Sequence, residues 1–73
     1  MGEAVLTLRQ HRARRILTMK ELADKAEVGT QSIVKIERGE RVRPSVFGKI
    51  AKALEVHPEE IREFQDMVMS GGD

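Results

Sequence analysis

Thr30, Gln31, Val34, Lys35 and Arg38 fall within an arc of about 140° when residues 30–38 are wound at helical spacing, while Ile33 and Ile36 point the other way. The chemistry open to such a face is recognition. An amide such as Gln31 can pair bidentately with an adenine edge, a cation such as Lys35 can meet guanine or a phosphate, and Val34 can pack on a thymine methyl. Periodicity alone leaves a second reading open, because any solvated surface helix also shows a polar face.

Other chemistries find little support in the residue types. The chain has no cysteine, which excludes a disulfide framework, a thiolate metal site and a cysteine nucleophile. His11 and His57 stand apart from each other and from any acid cluster at ligand spacing, so no metal is expected, His11 reads as a surface residue and His57 as a surface residue or irregular N-cap. Ser32, Ser45 and Ser70 belong to no Ser-His-Asp arrangement, and so small a chain offers little pocket. No enzymatic activity, cofactor or small-molecule ligand is expected. Met67 and Met69 read as apolar fill.

At 73 residues the chain is expected to form one domain over about residues 1–69, with residues 70–73 as a flexible tail. No uninterrupted apolar run exceeds three residues, as at Ala4-Val5-Leu6, far shorter than the roughly 20 residues of a membrane span. No export signal is visible either, and a cytoplasmic location without membrane contact is expected. The net charge of +1 hides a strong asymmetry. Residues 1–52 hold 12 of the 13 Lys and Arg against 6 of the 12 acids, whereas residues 53–73 hold Arg62 against six acids. A basic body with an acidic end fits a polyanion on one side and something else on the other. With two Phe and no Trp or Tyr, stacking platforms for single strands are nearly absent, so duplex is the favoured nucleic acid.

The elements that must position these residues are helices, since apolar residues recur at helical spacing and no stretch alternates as a strand would. The pattern predicts five. The first covers about Ala4 to Arg15, with Val5, Leu8 and Arg12 on one stripe, which puts an arginine on the core side. The second opens with a capping box, Thr18 with Glu21 three residues later. Glu27-Val28-Gly29 is only long enough for a turn, so a third helix starts near Thr30 and runs to Arg38, where Gly39 supplies a left-handed C′ residue. Ser45 is expected to cap the fourth helix, whose stripe is Phe47, Ile50, Ala51 and Leu54. The fifth is expected to begin at His57-Pro58 and to line one face with Ile61, Phe64 and Val68.

A helix, a short turn and a helix over residues 18–38 is a weak signal by geometry alone. The run from Leu17 to Gly39, with Leu22-Ala23, Gln31-Ser32-Ile33 and Glu37-Arg38-Gly39 at its landmarks, is more specific, as is the continuation Arg43-Pro44-Ser45 and Ile50-Ala51-Lys52-Ala53-Leu54. Over about residues 6–64 the sequence resembles the Cro/lambda-repressor-like helix-turn-helix family, also called the xenobiotic-response-element family. The resemblance implies an all-α, compact five-helix domain that binds double-stranded DNA as a homodimer on a pseudo-palindromic operator and regulates transcription. It implies base reading by Thr30, Gln31, Val34 and Lys35, and phosphate contact by Lys20, Arg38, Arg41 and Arg43. For the two loop arginines, simple exposure is the alternative. Arg12 matches a family arginine that pairs with the residue matching Glu37, and the two are expected to form a structural pair. Phe64, Met67 and Val68 supply an apolar surface expected at the dimer interface.

The family also contains antitoxins, restriction-modification controllers and bridging coactivators, which makes a protein-binding module with DNA binding secondary the alternative function. Three positions depart from the family pattern. Ile16 and Glu27 stand where glycine is most frequent, and Met19 stands where a DNA-contacting glutamine is most frequent. Because a β-branched residue is disfavoured at positive φ, the first helix is expected to end differently from the family's.

Overall fold

The computed structural model describes residues 5–70. The expected tail lies, from residue 71 onward, outside the described residues, as does the side chain of Met69. Five α-helices are present among the described residues: α1 (Leu8–Arg14), α2 (Met19–Ala26), α3 (Thr30–Glu37), α4 (Pro44–Leu54) and α5 (Arg62–Ser70), with a single 3₁₀ turn at Pro58–Glu60. No strand occurs there, and the one extended pairing is an isolated parallel bridge between Leu6 and Ile61. The all-α, five-helix architecture read from the sequence is the one observed.

The helix starts follow hydrogen bonding, and three of them differ from the sequence expectation. α2 begins as its capping box dictates: Thr18 Oγ1 accepts from the Glu21 N–H at 3.0 Å, and Glu21 Oε1 accepts from the Thr18 N–H at 2.8 Å. α1 starts at Leu8 and not near Ala4, because Thr7 and Gln10 form a second capping box, with Oγ1···N at 3.2 Å and N···Oε1 at 2.9 Å. Upstream of it the Leu6 carbonyl accepts from the Arg62 N–H at 2.9 Å, which requires extended backbone.

Ser45 is not the N-cap of α4. Pro44 takes the first helical position, where its missing N–H is no loss, and it forces Arg43 into the extended conformation (φ −67°, ψ 143°) that an N-cap needs. Pro58 likewise starts only a 3₁₀ turn. Ile61 is extended (φ −102°, ψ 123°) and the Arg62 N–H is engaged by Leu6, so α5 begins four residues later than expected.

Ile16 corrects the expectation for the end of α1. It adopts the left-handed conformation (φ 53°), as a glycine would, with its side chain 87% exposed. Two bonds hold the turn in that shape. Arg12 Nη1 donates to the Leu17 carbonyl at 3.0 Å, and the Leu17 N–H donates to the Arg12 carbonyl at 3.1 Å. Such a residue persists where its surroundings over-determine it.

α2 packs against both α3 and α4, and α1 closes over α3. The core comprises Leu8, Leu22, Ile33, Ile36, Phe47, Ile50, Leu54 and Ile61, all fully buried, with Ala23, Ala26, Ala51 and Ala53 allowing close approach of the helices. Phe64 joins it edge-to-face with Phe47, the ring centroids 5.3 Å apart at 68°, a geometry that adds about 0.5–1.5 kcal/mol beyond area burial.

Val68 does not share that inward face and is 52% exposed. Phe64 and Met67 pack on the core, and Val68 lies on the flank of the stripe they define. His11, expected at the surface, is only 5% exposed. Its Nε2–H donates to the Glu60 carbonyl at 2.7 Å, since a carbonyl can only accept, and Nδ1 is buried with no hydrogen-bond partner.

Candidate nucleic-acid interface

α3 is held from behind and open in front. Ile33 and Ile36 are fully buried, whereas Thr30, Gln31, Lys35 and Arg38 are exposed on one side and Val34 is half-buried at its edge. The turn from α2 is set by Glu27, left-handed at φ 60°, whose N–H reaches the Asp24 carbonyl at 3.2 Å while the Val28 N–H reaches Ala23 at 3.0 Å. Gly29 then caps α3 with no side-chain hydrogen bond. The first N–H groups of the helix are therefore left without a side-chain acceptor, at the end where the helix dipole favours an anion.

The far end of α3 is fixed twice. Gly39 takes φ 85° and lets the Glu40 N–H return to the Lys35 carbonyl at 2.8 Å, closing the helix and launching the loop that carries Arg41 and Arg43. Glu37, half-buried on the side facing α1, receives Arg12: Nε donates to Oε2 at 2.9 Å and Nη2 to Oε1 at 3.2 Å. The side chains are 16% and 10% exposed, so this bidentate pair is largely desolvated. With Nη1 on the Leu17 carbonyl, one guanidinium ties α1, the turn before α2 and the end of α3 together.

The expected phosphate-contacting residues differ in their freedom. Arg41 and Arg43 are exposed and have no ion pair among the described residues. Arg38 lies 3.6 Å from Glu40, and Lys20 lies 3.3 Å from Asp24. Both of those pairs are exposed and so weakly held. Met19, in place of a polar side chain, packs on the core. Of the apolar residues expected at a dimer interface, Phe64 and Met67 are half-buried against their own core and Val68 is free.

Two residues that position this surface were not read from the sequence. Glu63 Oε1 accepts from the Leu8 N–H at 2.8 Å, tying α5 to the start of α1, and His11 makes the second tie between the same helix and the 3₁₀ turn. A glutamate in the first turn of a helix has a local explanation in the dipole, so nothing local marks Glu63 as a long-range cap.

Among the described residues no group of three or more His, Asp or Glu could hold a metal ion, and no helix is long and apolar enough to cross a membrane. A family model described as helix-turn-helix matches residues 8–61. No curated protein and no solved structure matches the chain significantly.

Proposed function

The chain belongs to the helix-turn-helix family of DNA-binding transcription regulators, and on that premise we propose that it reads duplex sequence with α3 as a homodimer on a pseudo-palindromic operator in the cytoplasm. The observation that carries the proposal is the division of α3. Its buried isoleucines leave Thr30, Gln31 and Lys35 free, with Val34 beside them, and the end that would meet base edges first is the end without a side-chain cap. Gln31 and Lys35 supply directional hydrogen bonds, and Val34 an apolar contact for a thymine methyl. Arg41 and Arg43, with Lys20 and Arg38, supply charge at positions suited to phosphates, which fixes register without selecting sequence.

One helix in one groove is a small contact area, and a two-fold dimer on half-sites about one helical turn apart is the usual remedy. The exposed Val68 and its half-buried neighbours Phe64 and Met67 support an interface on α5. The acidic charge of this end keeps it away from phosphates. Selection of bound duplexes from a random pool tests the reading: enrichment of an inverted repeat is expected, and failure to enrich any sequence would favour the protein-binding alternative.

A further inference from the structure

A second basic surface is built without any residue of α3 or of its following loop. Lys25 in the last turn of α2, and Lys49 and Lys52 one turn apart on α4, line a groove of about 460 Å³ whose floor is Ala26 and Ala53. All three lysines are exposed, and none is in an ion pair among the described residues. Glu27, on the rim, is the one acid in the lining. Three like charges around a concave surface concentrate potential there, and the helix dipole gives no reason for Lys49, which precedes the last turn of α4.

We propose that this groove docks an acidic polypeptide segment of a protein partner, with an apolar side chain between the lysine stems over the alanines and flanking carboxylates on Lys25, Lys49 and Lys52. The apolar lining decides between the polyanions. Ala26 and Ala53 are nearly buried and small enough to leave the groove open, so its apolar wall is mainly the methylene stems of the lysines, which a peptide side chain can cover and a sugar-phosphate backbone cannot. The site also contains no residue of α3 or of the loop carrying Arg41 and Arg43, so partner and operator can be held together. The proposal stands whether or not α3 is the reader of sequence.

The test uses the full chain and a fluorescent, capped peptide in which leucines are spaced among glutamates, with glutamine replacing glutamate in the control peptide. At low ionic strength the glutamate peptide binds and the glutamine peptide does not. Lys49→Glu with Lys52→Glu weakens peptide binding about tenfold or more, while the preference among duplexes is retained. Lys49→Gln with Lys52→Gln, which leaves the fold less perturbed, gives a smaller loss in the same direction. The proposal is overturned if the parent binds neither peptide, if it binds both alike, or if the groove variants bind the peptide as the parent does. It is equally overturned if Arg43→Ala and excess duplex abolish peptide binding, which would place the peptide on the DNA surface. Loss of duplex affinity as large as the loss of peptide affinity would make the groove a phosphate surface instead.

Discussion

Replacing Arg12 by Met removes the cation from a pair that the structure shows to be nearly dry. The survivor, Glu37, is 10% exposed and would lose both of its bonds to Arg12, at 2.9 and 3.2 Å, and the Leu17 carbonyl would lose its bond at 3.0 Å. Breaking a buried pair from one side costs about 3–5 kcal/mol, because a charge is left without compensation. Arg12 keeps some contact with water, so the lower end of that range applies, about 3 kcal/mol.

A domain of this size has a total stability of about 4–11 kcal/mol. Each kcal/mol lowers its melting temperature by about 4–8 °C, so the variant should melt about 12–24 °C below the parent. Thermal melting followed by circular dichroism reads this directly. Adding Glu37→Leu should return part of the loss, since the stranded carboxylate goes with it, and the double-mutant cycle isolates the coupling. An Arg12→Met chain that melts within a degree or two of the parent would refute the reasoning, because the pair would then be solvated.

Ile16→Gly should raise the melting temperature by a few degrees, since relief of about 1–2 kcal/mol at φ 53° outweighs the greater unfolded freedom of glycine; an unchanged or lower value would show that the turn is unstrained. Glu63→Ala should cost about 1.5–3 kcal/mol by removing the charged acceptor for the Leu8 N–H, and Glu63→Gln should cost less. Hydrogen exchange at Leu8 separates this local loss from global unfolding, which would speed all amides alike. Val68→Glu should dissociate the proposed dimer in sedimentation experiments with little change in monomer stability, because Val68 is exposed in the single chain. A parent that stays monomeric on its operator would remove the basis for that interface. Duplex affinity should fall with salt at a slope of about −0.9 per neutralised phosphate, and Arg43→Ala should make the slope shallower by about one unit.

Much of this molecule is written locally. Thr18 with Glu21, Gly39 with its left-handed turn, and the isoleucines of α3 are short-range signals, and each leads to the element observed. Part of what escaped was local, as at the Thr7–Gln10 capping box and Pro44, and the rest depends on residues distant in sequence. α5 starts late because Leu6, 56 positions upstream of Arg62, takes its N–H. His11 is buried because the Glu60 carbonyl meets it, although nothing around it in sequence separates it from a surface histidine. Ile16 misled in the opposite sense: its propensity argued against the left-handed turn, and the two bonds between Arg12 and Leu17, with Arg12 itself held by Glu37, overrode it. For the candidate site, the exposed and buried faces of α3 were legible from period alone and the Arg12–Glu37 pair from the family resemblance, while the uncapped start of α3 required the packed structure.

The central claim, that α3 selects sequence while the loop after it supplies only charge, is tested most directly by affinity on two duplexes. Gln31→Ala and Lys35→Ala should each lose about 1–3 kcal/mol on the selected operator and little on random duplex. Arg43→Ala should weaken both duplexes by the same factor. Equal losses on the two duplexes for all three variants would contradict the account, because α3 would then contribute no more than charge.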